Sequence, residues 1–488
     1  MGYANSGLGS AILLRERDSD GTEFSGADMA YCMICTVAIF ILTPGIGLFY
    51  GGALKKKNIV QILFQTYAVT ALITVQWFLF GYSLAVSPSA SSVLGNFAFG
   101  ALQRVTDTGF TTTLPSIMYF TFSAFFPIAT VQLFVGAICE RGRLLPSLVV
   151  GFIWCTVCYC PFAYSTWCAN GWLYKLGALD FAGGGPVHIA AGCASLSYSY
   201  YLGNRKEWKD PKTKEDYKPS SVISFFIGVS IIWFSWLCFN SGTLCAVNVR
   251  TGYIMANTQL AASAASIAFA VIDFALTGKW SLIAACEGAV AGLVNITPSC
   301  GFYSPYWAFI TSAFVGACCR LLYPFNEWVG IDDTTHSFVI HGIGGILGSI
   351  CLGVFASAEY AGMDGVTEIP GGWIDHHWKQ MGYQFAGWVS ITVWSTVGTW
   401  LICYVVDHIP GLKLRATEEE ELAGMDITEM AETLCDLDEF LYGDVEDGRH
   451  SHDMNMSSSN GNIEVIEGKS TTSQVYTTNV THKGDQSV

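Results

Sequence analysis

The chain has 488 residues, of which 51% are hydrophobic and only 13% charged, with a mean hydropathy of +0.40. That balance excludes an ordinary soluble domain and describes a polytopic membrane protein. The formal net charge of -15 belongs to the ends: five acidic and two basic residues lie up to Asp28, seventeen and five lie from His408 onward, and the neutral middle offers no footprint for nucleic acid.

Residues 1–28 are polar and lack the basic start and apolar core of a secretory signal peptide. Met1-Gly2-Tyr3-Ala4-Asn5-Ser6 matches a myristoylation pattern, but the loop charges place this end outside the cytosol, where that reaction does not occur. Eleven apolar segments follow, at 29–53, 58–85, 114–139, 144–166, 184–203, 219–239, 256–278, 281–298, 302–323, 338–358 and 384–407. As helices rising about 1.5 Å per residue, such segments cross a hydrocarbon core of about 30 Å. Glu287 in the eighth and Asp273 near the end of the seventh are the exceptions to their apolar character.

Alternate loops carry very different charge. One set holds Lys55, Lys56, Lys57, Arg141, Arg143, six basic residues between Arg205 and Lys218, Lys279 and Arg320, thirteen in all; the other holds only Arg104, Lys175, Arg250 and Lys379. The positive-inside rule puts the first set in the cytosol, the N-terminus outside and the C-terminal tail inside. The expected architecture is therefore an all-α polytopic membrane protein of eleven transmembrane helices. Spans one to five and six to ten enter the bilayer in opposite senses, giving two inverted five-helix repeats plus one extra helix. The expected organisation is an extracellular segment at 1–28, a transmembrane domain at 29–407, a cytosolic regulatory region at 408–445 and a disordered tail at 446–488. Within the regulatory region, Ile427, Met430, Ala431, Leu434, Leu437 and Leu441 recur at helical spacing and predict a short amphipathic helix. Asn455 and Asn479 begin glycosylation patterns that a cytosolic tail cannot use.

Two histidines stand inside these spans. His188 follows Gly183-Gly184-Gly185-Pro186-Val187, and His341 precedes Gly342-Ile343-Gly344-Gly345. A single membrane histidine ordinarily hydrogen-bonds a neighbouring helix. Here each falls in the fifth span of its half, among glycines that permit close helix approach, so the pseudo-two-fold brings the two together near the midplane. Paired imidazoles sharing one proton, among aromatic and small residues, suit a small weak base that can shed a proton better than a fully hydrated ion. Phe126 and Phe239 could close such a path, although a phenylalanine in a span ordinarily packs the core. Trp167 ordinarily sits in an interfacial belt, and its π face attracts cations. Asp180 reads as a helix N-cap or as a charge drawing cations to the mouth. The pairs Cys32/Cys35 and Cys155/Cys158 read as small packing residues, because zinc would require costly thiolates in lipid.

Several long motifs in one order resemble the Amt/Mep/Rh ammonium transporters, on the Amt/Mep branch, over about residues 27–430. They are Pro44-Gly45-Ile46-Gly47-Leu48-Phe49-Tyr50-Gly51-Gly52, Val135-Gly136-Ala137-Ile138-Cys139-Glu140-Arg141, Gly177-Ala178-Leu179-Asp180-Phe181-Ala182-Gly183-Gly184, Trp236-Leu237-Cys238-Phe239-Asn240-Ser241-Gly242, Ile296-Thr297-Pro298 and His341-Gly342-Ile343-Gly344-Gly345. The resemblance implies a homotrimer with one pore per subunit, in the plasma membrane. It implies an outer ammonium recruitment site at Trp167, Thr243 and Phe126, and a ring gate at Phe126 and Phe239. It further implies a pore pair at His188 and His341, with structural support from Asp180 and Trp236. Ammonium is then expected to lose its proton near the gate, and the histidines to pass ammonia and the proton inward. Thr243 stands where many members have serine, and His336 where an acidic residue is frequent. The tail begins like the family's at Glu421–Met430 but lacks its His-Gly-Glu continuation.

The expected partners are ammonium or ammonia, the lipid bilayer, two further copies of the chain, and cytosolic regulatory proteins or kinases acting on the tail; no cofactor is expected. One alternative is an ammonium sensor signalling through that tail, with Ser457–Ser459, Thr471 and Thr472 as modification sites. Another, a metal-dependent membrane enzyme, would draw on Asp375-His376-His377, which the topology puts in an outer loop away from the histidine pair.

Overall fold

The computed structural model describes residues 24–88, 90–105, 111, 113–209 and 217–434. Among these the structure is helical, with no strand and one isolated bridge between Gly142 and Arg415. Among the described residues, eight helices are long and apolar enough to cross a membrane: α1 Gly26–Ala53, α2 Lys56–Val86, α3 Ser116–Ile138, α4 Leu144–Leu176, α6 Val222–Gly242, α7 Val249–Thr277, α10 Phe338–Phe355 and α11 Gln380–Asp407. Between them lie α5 (184–202), α8 Leu282–Ile296 and α9 Pro305–Leu321, which are shorter or less apolar and occupy the remaining expected segments. The described residues fall within one compact unit, and residues 435–488 lie outside them. The N-terminal myristoylation pattern, Asn455, Ser457–Ser459, Thr471, Thr472 and Asn479 also lie outside them.

The helix starts follow local chemistry. Ser25, Ser221, Asn248 and Ser281 place a side-chain oxygen on an otherwise unbonded N–H of the first turn of α1, α6, α7 and α8. The outward faces are apolar: Val37, Tyr67, Ile223, Ile267, Phe314 and Val393 are each more than half exposed. A water-soluble protein would bury such a belt, whereas a lipid-facing one is solvated by acyl chains. Polar groups turn inward and find partners. Gln132 donates to the Thr66 carbonyl and the Thr70 hydroxyl, both at 2.9 Å, and Asn257 donates to the carbonyls of Cys300 and Tyr303, both at 2.9 Å.

Packing pairs α1 with α6, α7 with α8 and α9, and α5 with both α10 and α11. The contact of α5 with α10 positions the site. A Cβ added to Gly192 would stand 2.1 Å from the Gly342 nitrogen, so the two backbones touch where only glycine fits. Gly192 is one turn beyond His188, and Gly342 is the residue after His341.

The tail departs from its expected helix. Two short helices form instead, α12 Glu418–Ala423 and α13 Met425–Glu429, and the backbone becomes extended at Met430. Thr417 and Glu420 make a capping box that starts the first, and Gly424 at φ 104° ends it. The apolar spacing from Ile427 onward is overridden because two carboxylates anchor the chain. Asp426 accepts from the Val60 and Gln61 N–H groups at 3.0 and 2.8 Å, capping α2, and Glu429 accepts from the Leu144 N–H at 2.7 Å, capping α4. Leu437 and Leu441 lie outside the described residues.

Candidate functional site

Both α5 and α10 open in a widened π-helical turn, Gly184–Ile189 and Phe338–Ile343, and each turn carries one of the histidines. Each turn is also tied to an aspartate eight residues before its histidine. Asp180 accepts three backbone N–H bonds, from Gly183, Gly184 and Gly185, at 2.7, 2.9 and 2.6 Å. Asp333 Oδ2 accepts from the Phe338 N–H at 2.7 Å. The same device thus repeats in the two halves of the chain.

The histidines meet. His188 Nδ1 lies 3.2 Å from His341 Nδ1, with the rings stacked at 20° and both side chains buried. The hydroxyl of Thr297 fixes the tautomers. It donates its one hydrogen to the Leu293 carbonyl at 2.7 Å and accepts from Trp236 Nε1 at 2.9 Å, so His188 Nε2, 3.3 Å away, must donate to it. His188 Nδ1 is then the acceptor, His341 Nδ1 the donor, and His341 Nε2 presents a lone pair. Apart from the two imidazoles, apolar groups such as Leu133, Ile232, Val290, Leu293 and Val294 line the cavity of about 10 Å3 beside them. That is about the room of one water-sized molecule.

A ladder of rings leads away from the pair. His188 stacks on Trp236 at 5.3 Å and 25°, and Trp236 on Phe239 at 4.8 Å and 18°. Phe239 lies 4.2 Å from Phe126, which meets Trp167 edge-on at 5.9 Å. Phe126 and Phe239 are both buried, with their rings in contact. Beyond them a second small cavity is walled by Trp77, Tyr119, Phe126, Tyr159, Ala163 and Trp167 among others. Trp167 Nε1 donates to the Asp180 carbonyl at 3.1 Å, which ties the tryptophan to the capped start of α5. Thr243 is buried at the end of α6 and donates to the Phe239 carbonyl at 2.8 Å, leaving oxygen lone pairs but no spare hydrogen.

Sequence reasoning gave no role to Thr297, Trp77, Tyr119 or Tyr159. Thr297 was visible only as part of a Thr-Pro pair, and the other three look like ordinary aromatic residues of a span. Several further polar and ionisable side chains find partners. Asn295 donates to Thr311 and Ser312 at 3.2 and 2.8 Å, Asp273 accepts from Arg320 Nε at 2.8 Å, and the His336 ring stacks on Tyr323 at 3.9 Å. Asp375 accepts from the Ala358 N–H at 2.7 Å, and among the described residues no group of three or more His, Cys, Asp or Glu side chains is arranged to hold a metal ion. Cys32, Cys35, Cys155 and Cys158 are buried free thiols.

At the Lys55 end, the loops before α4 and α10 are bound by a buried charge cluster. Arg205 contacts Glu140 and lies 2.7 Å from Asp332, whose backbone carbonyl accepts from Arg141 at 2.5 Å. Burial alone would push the Asp332 carboxyl up, but the Arg205 guanidinium, followed by Arg141, holds it well below the usual carboxylate range. Arg205, Asp332, Asp333 and His336 border a cavity of about 210 Å3.

The sequence pattern of the Ammonium Transporter Family matches residues 30–434. The chain belongs to that family. It is 47% identical over 457 residues to ammonium transporter 3 of Schizosaccharomyces pombe, covering 84% of this chain and 88% of that protein. It is 37% identical over 418 residues to ammonium transporter MEP2 of Saccharomyces cerevisiae, covering 84% of each. The crystal structure of Candida albicans Mep2 superposes with a TM-score of 0.78 at 37% identity, over 92% of this chain and 97% of that one. This family member is therefore a multi-pass membrane protein of the Amt/Mep type.

Proposed function

We propose that this protein carries ammonium across the plasma membrane through a twin-histidine pore. In this reading the helices α1 to α11, the three shorter or less apolar ones included, span the bilayer as two inverted five-helix repeats plus one, with the N-terminus extracellular, the C-terminus cytosolic and the chain assembled as a homotrimer. The regulatory region runs over 408–445. The repeated aspartate–π-turn–histidine unit of α5 and α10 supports the repeat, and the thirteen basic residues of one loop set support the orientation.

Ammonium gathers at the aromatic cavity bordered by Trp167, where ring faces attract a cation, and the Thr243 hydroxyl, which donates to the Phe239 carbonyl, keeps oxygen lone pairs to accept from it. Phe126 and Phe239 bar a hydrated ion, so the substrate sheds water and a proton before it passes. Ammonia then meets the lone pair of His341 Nε2, and the shared hydrogen between the imidazoles gives the proton a parallel route. Asp180 and Trp236 hold this geometry, the first by capping α5 and the second by bonding Thr297.

The observation that carries the reading is the 3.2 Å contact between two imidazoles in an otherwise apolar cavity the size of one small molecule. The test is current at fixed voltage in proteoliposomes holding the full chain. A saturable current with ammonium and none with potassium is expected; equal currents with both cations would overturn it.

A further inference from the structure

Glu287 is the acidic residue inside α8, and the transport path described so far does not use it. Its helix register is informative. Val290 and Val294, at i+3 and i+7, share its face, and both line the cavity beside His188 and His341. Glu287 thus stands one turn from that cavity, about 5 Å along the axis, on the side away from Thr297.

Its partners are unusual for a carboxylate in a span. The Tyr323 hydroxyl donates to Glu287 Oε1 at 2.6 Å, and this is the hydrogen bond the carboxylate makes among the described residues. Arg320, a cation that acts on Glu287, turns its Nε to Asp273 at 2.8 Å and lies over the Tyr323 ring at 5.9 Å. The ionisable groups facing Glu287 are therefore Tyr323, Arg320 and Asp273, with Cys286 beside it on α8. Tyr323 in turn stacks on His336, which borders the 210 Å3 cavity at the Lys55 end. A carboxylate so placed is costly in a membrane, and a neutral amide would fill the same volume. What the carboxyl adds is a proton that can leave and return.

We propose that Glu287 is the inner proton-relay group of this pore, oriented by Tyr323, and that ammonia regains its proton there. The protonated carboxyl gives up its O–H proton to ammonia arriving from the histidine cavity. The O–H bond breaks, an N–H bond forms on the ammonia lone pair, and ammonium leaves through the cavity bordered by His336. The carboxylate is then recharged by the proton passed along the histidine pair. Tyr323 is a positioning residue, since it touches the carboxyl rather than the substrate, and the His336 stack fixes its ring.

This inference rests on the transport reading, and the experiment separates the two. Ammonium-evoked current and ammonia flux, the latter followed by a pH dye inside the vesicles, are measured from pH 5 to 8 for wild type, Glu287→Gln, Glu287→Asp and Tyr323→Phe. The expected result is a loss of current of about tenfold or more in Glu287→Gln, with ammonia flux reduced less, and recovery in Glu287→Asp. Tyr323→Phe keeps the carboxyl and moves the pH of half-maximal current, a readout that a packing role would leave in place. Wild-type current, wild-type current-to-flux ratio and wild-type pH profile in Glu287→Gln would overturn the relay while leaving transport intact. Absence of ammonium current in wild type itself would overturn both.

Discussion

Gly192 and Gly342 bring α5 and α10 into backbone contact beside the histidine pair, where a Cβ on Gly192 would stand 2.1 Å from the Gly342 nitrogen and 2.4 Å from its Cα. The atoms met are backbone, so no side-chain rotation relieves the clash. Gly192→Ala is expected to part the helices and lengthen the Nδ1–Nδ1 contact. Overpacking of this kind costs about 1–3 kcal/mol. A melting temperature lowered by several degrees, together with a reduced ammonium current, is the result to look for; wild-type values in both would mean the helices can separate freely there.

Asp180 supplies three backbone hydrogen bonds to the first turn of α5, and its carbonyl holds Trp167. Asp180→Ala removes the cap at a cost of about 1–2 kcal/mol and frees the glycine run that carries His188. Asp180→Asn keeps one acceptor oxygen and should retain part of the stability. Thermal unfolding of the purified protein ranks the three as wild type above Asn above Ala.

At the Lys55 end Asp332 is buried against Arg205, and Asp332→Asn removes one of the two carboxylates that this guanidinium meets among the described residues. Breaking a buried pair by removing one partner costs about 3–5 kcal/mol. Arg205 and Arg141 hold the Asp332 carboxyl below its ordinary range against the opposing effect of burial, so the folded state binds the proton less tightly than the unfolded one. Its contribution is present in full above the unfolded value of about 3.9 and disappears only as the pH falls through the lower folded value. Unfolding curves should therefore show a constant gap between wild type and Asp332→Asn from pH 8 to about 5. A gap that closes between pH 7 and 5 would point to a different titrating group.

How much of this was readable beforehand depended on how strongly a residue type clashed with its surroundings. His188 and His341 stood out because imidazoles are rare in apolar runs, and Asp180 because a carboxylate before three glycines is a helix start. Thr297 did not stand out: a hydroxyl before proline fits any helix end, and its meaning depends on Trp236 and His188 arriving from two other helices. Trp77, Tyr119 and Tyr159 were hidden for the opposite reason, since aromatic residues are expected throughout a span and only packing selects the ones that face a cavity. The tail misled because its apolar spacing is genuine, yet Asp426 and Glu429 gain more by capping α2 and α4 than the segment gains as a free helix. The capping box of Thr417 with Glu420, which starts α12, received no reading from the sequence.

The central claim, that His188 and His341 line the conducting path, is tested most directly by currents at fixed voltage for wild type, His188→Ala and His341→Ala in the same bilayer. Each substitution empties one side of a buried contact of 3.2 Å and enlarges the apolar cavity beside it, which is about 10 Å3 in the unsubstituted protein. The expected result is that each variant, verified as folded, either loses the ammonium current or admits potassium as well. Ammonium currents of wild-type size and selectivity in both variants would contradict it and leave the two imidazoles as a helix-packing contact.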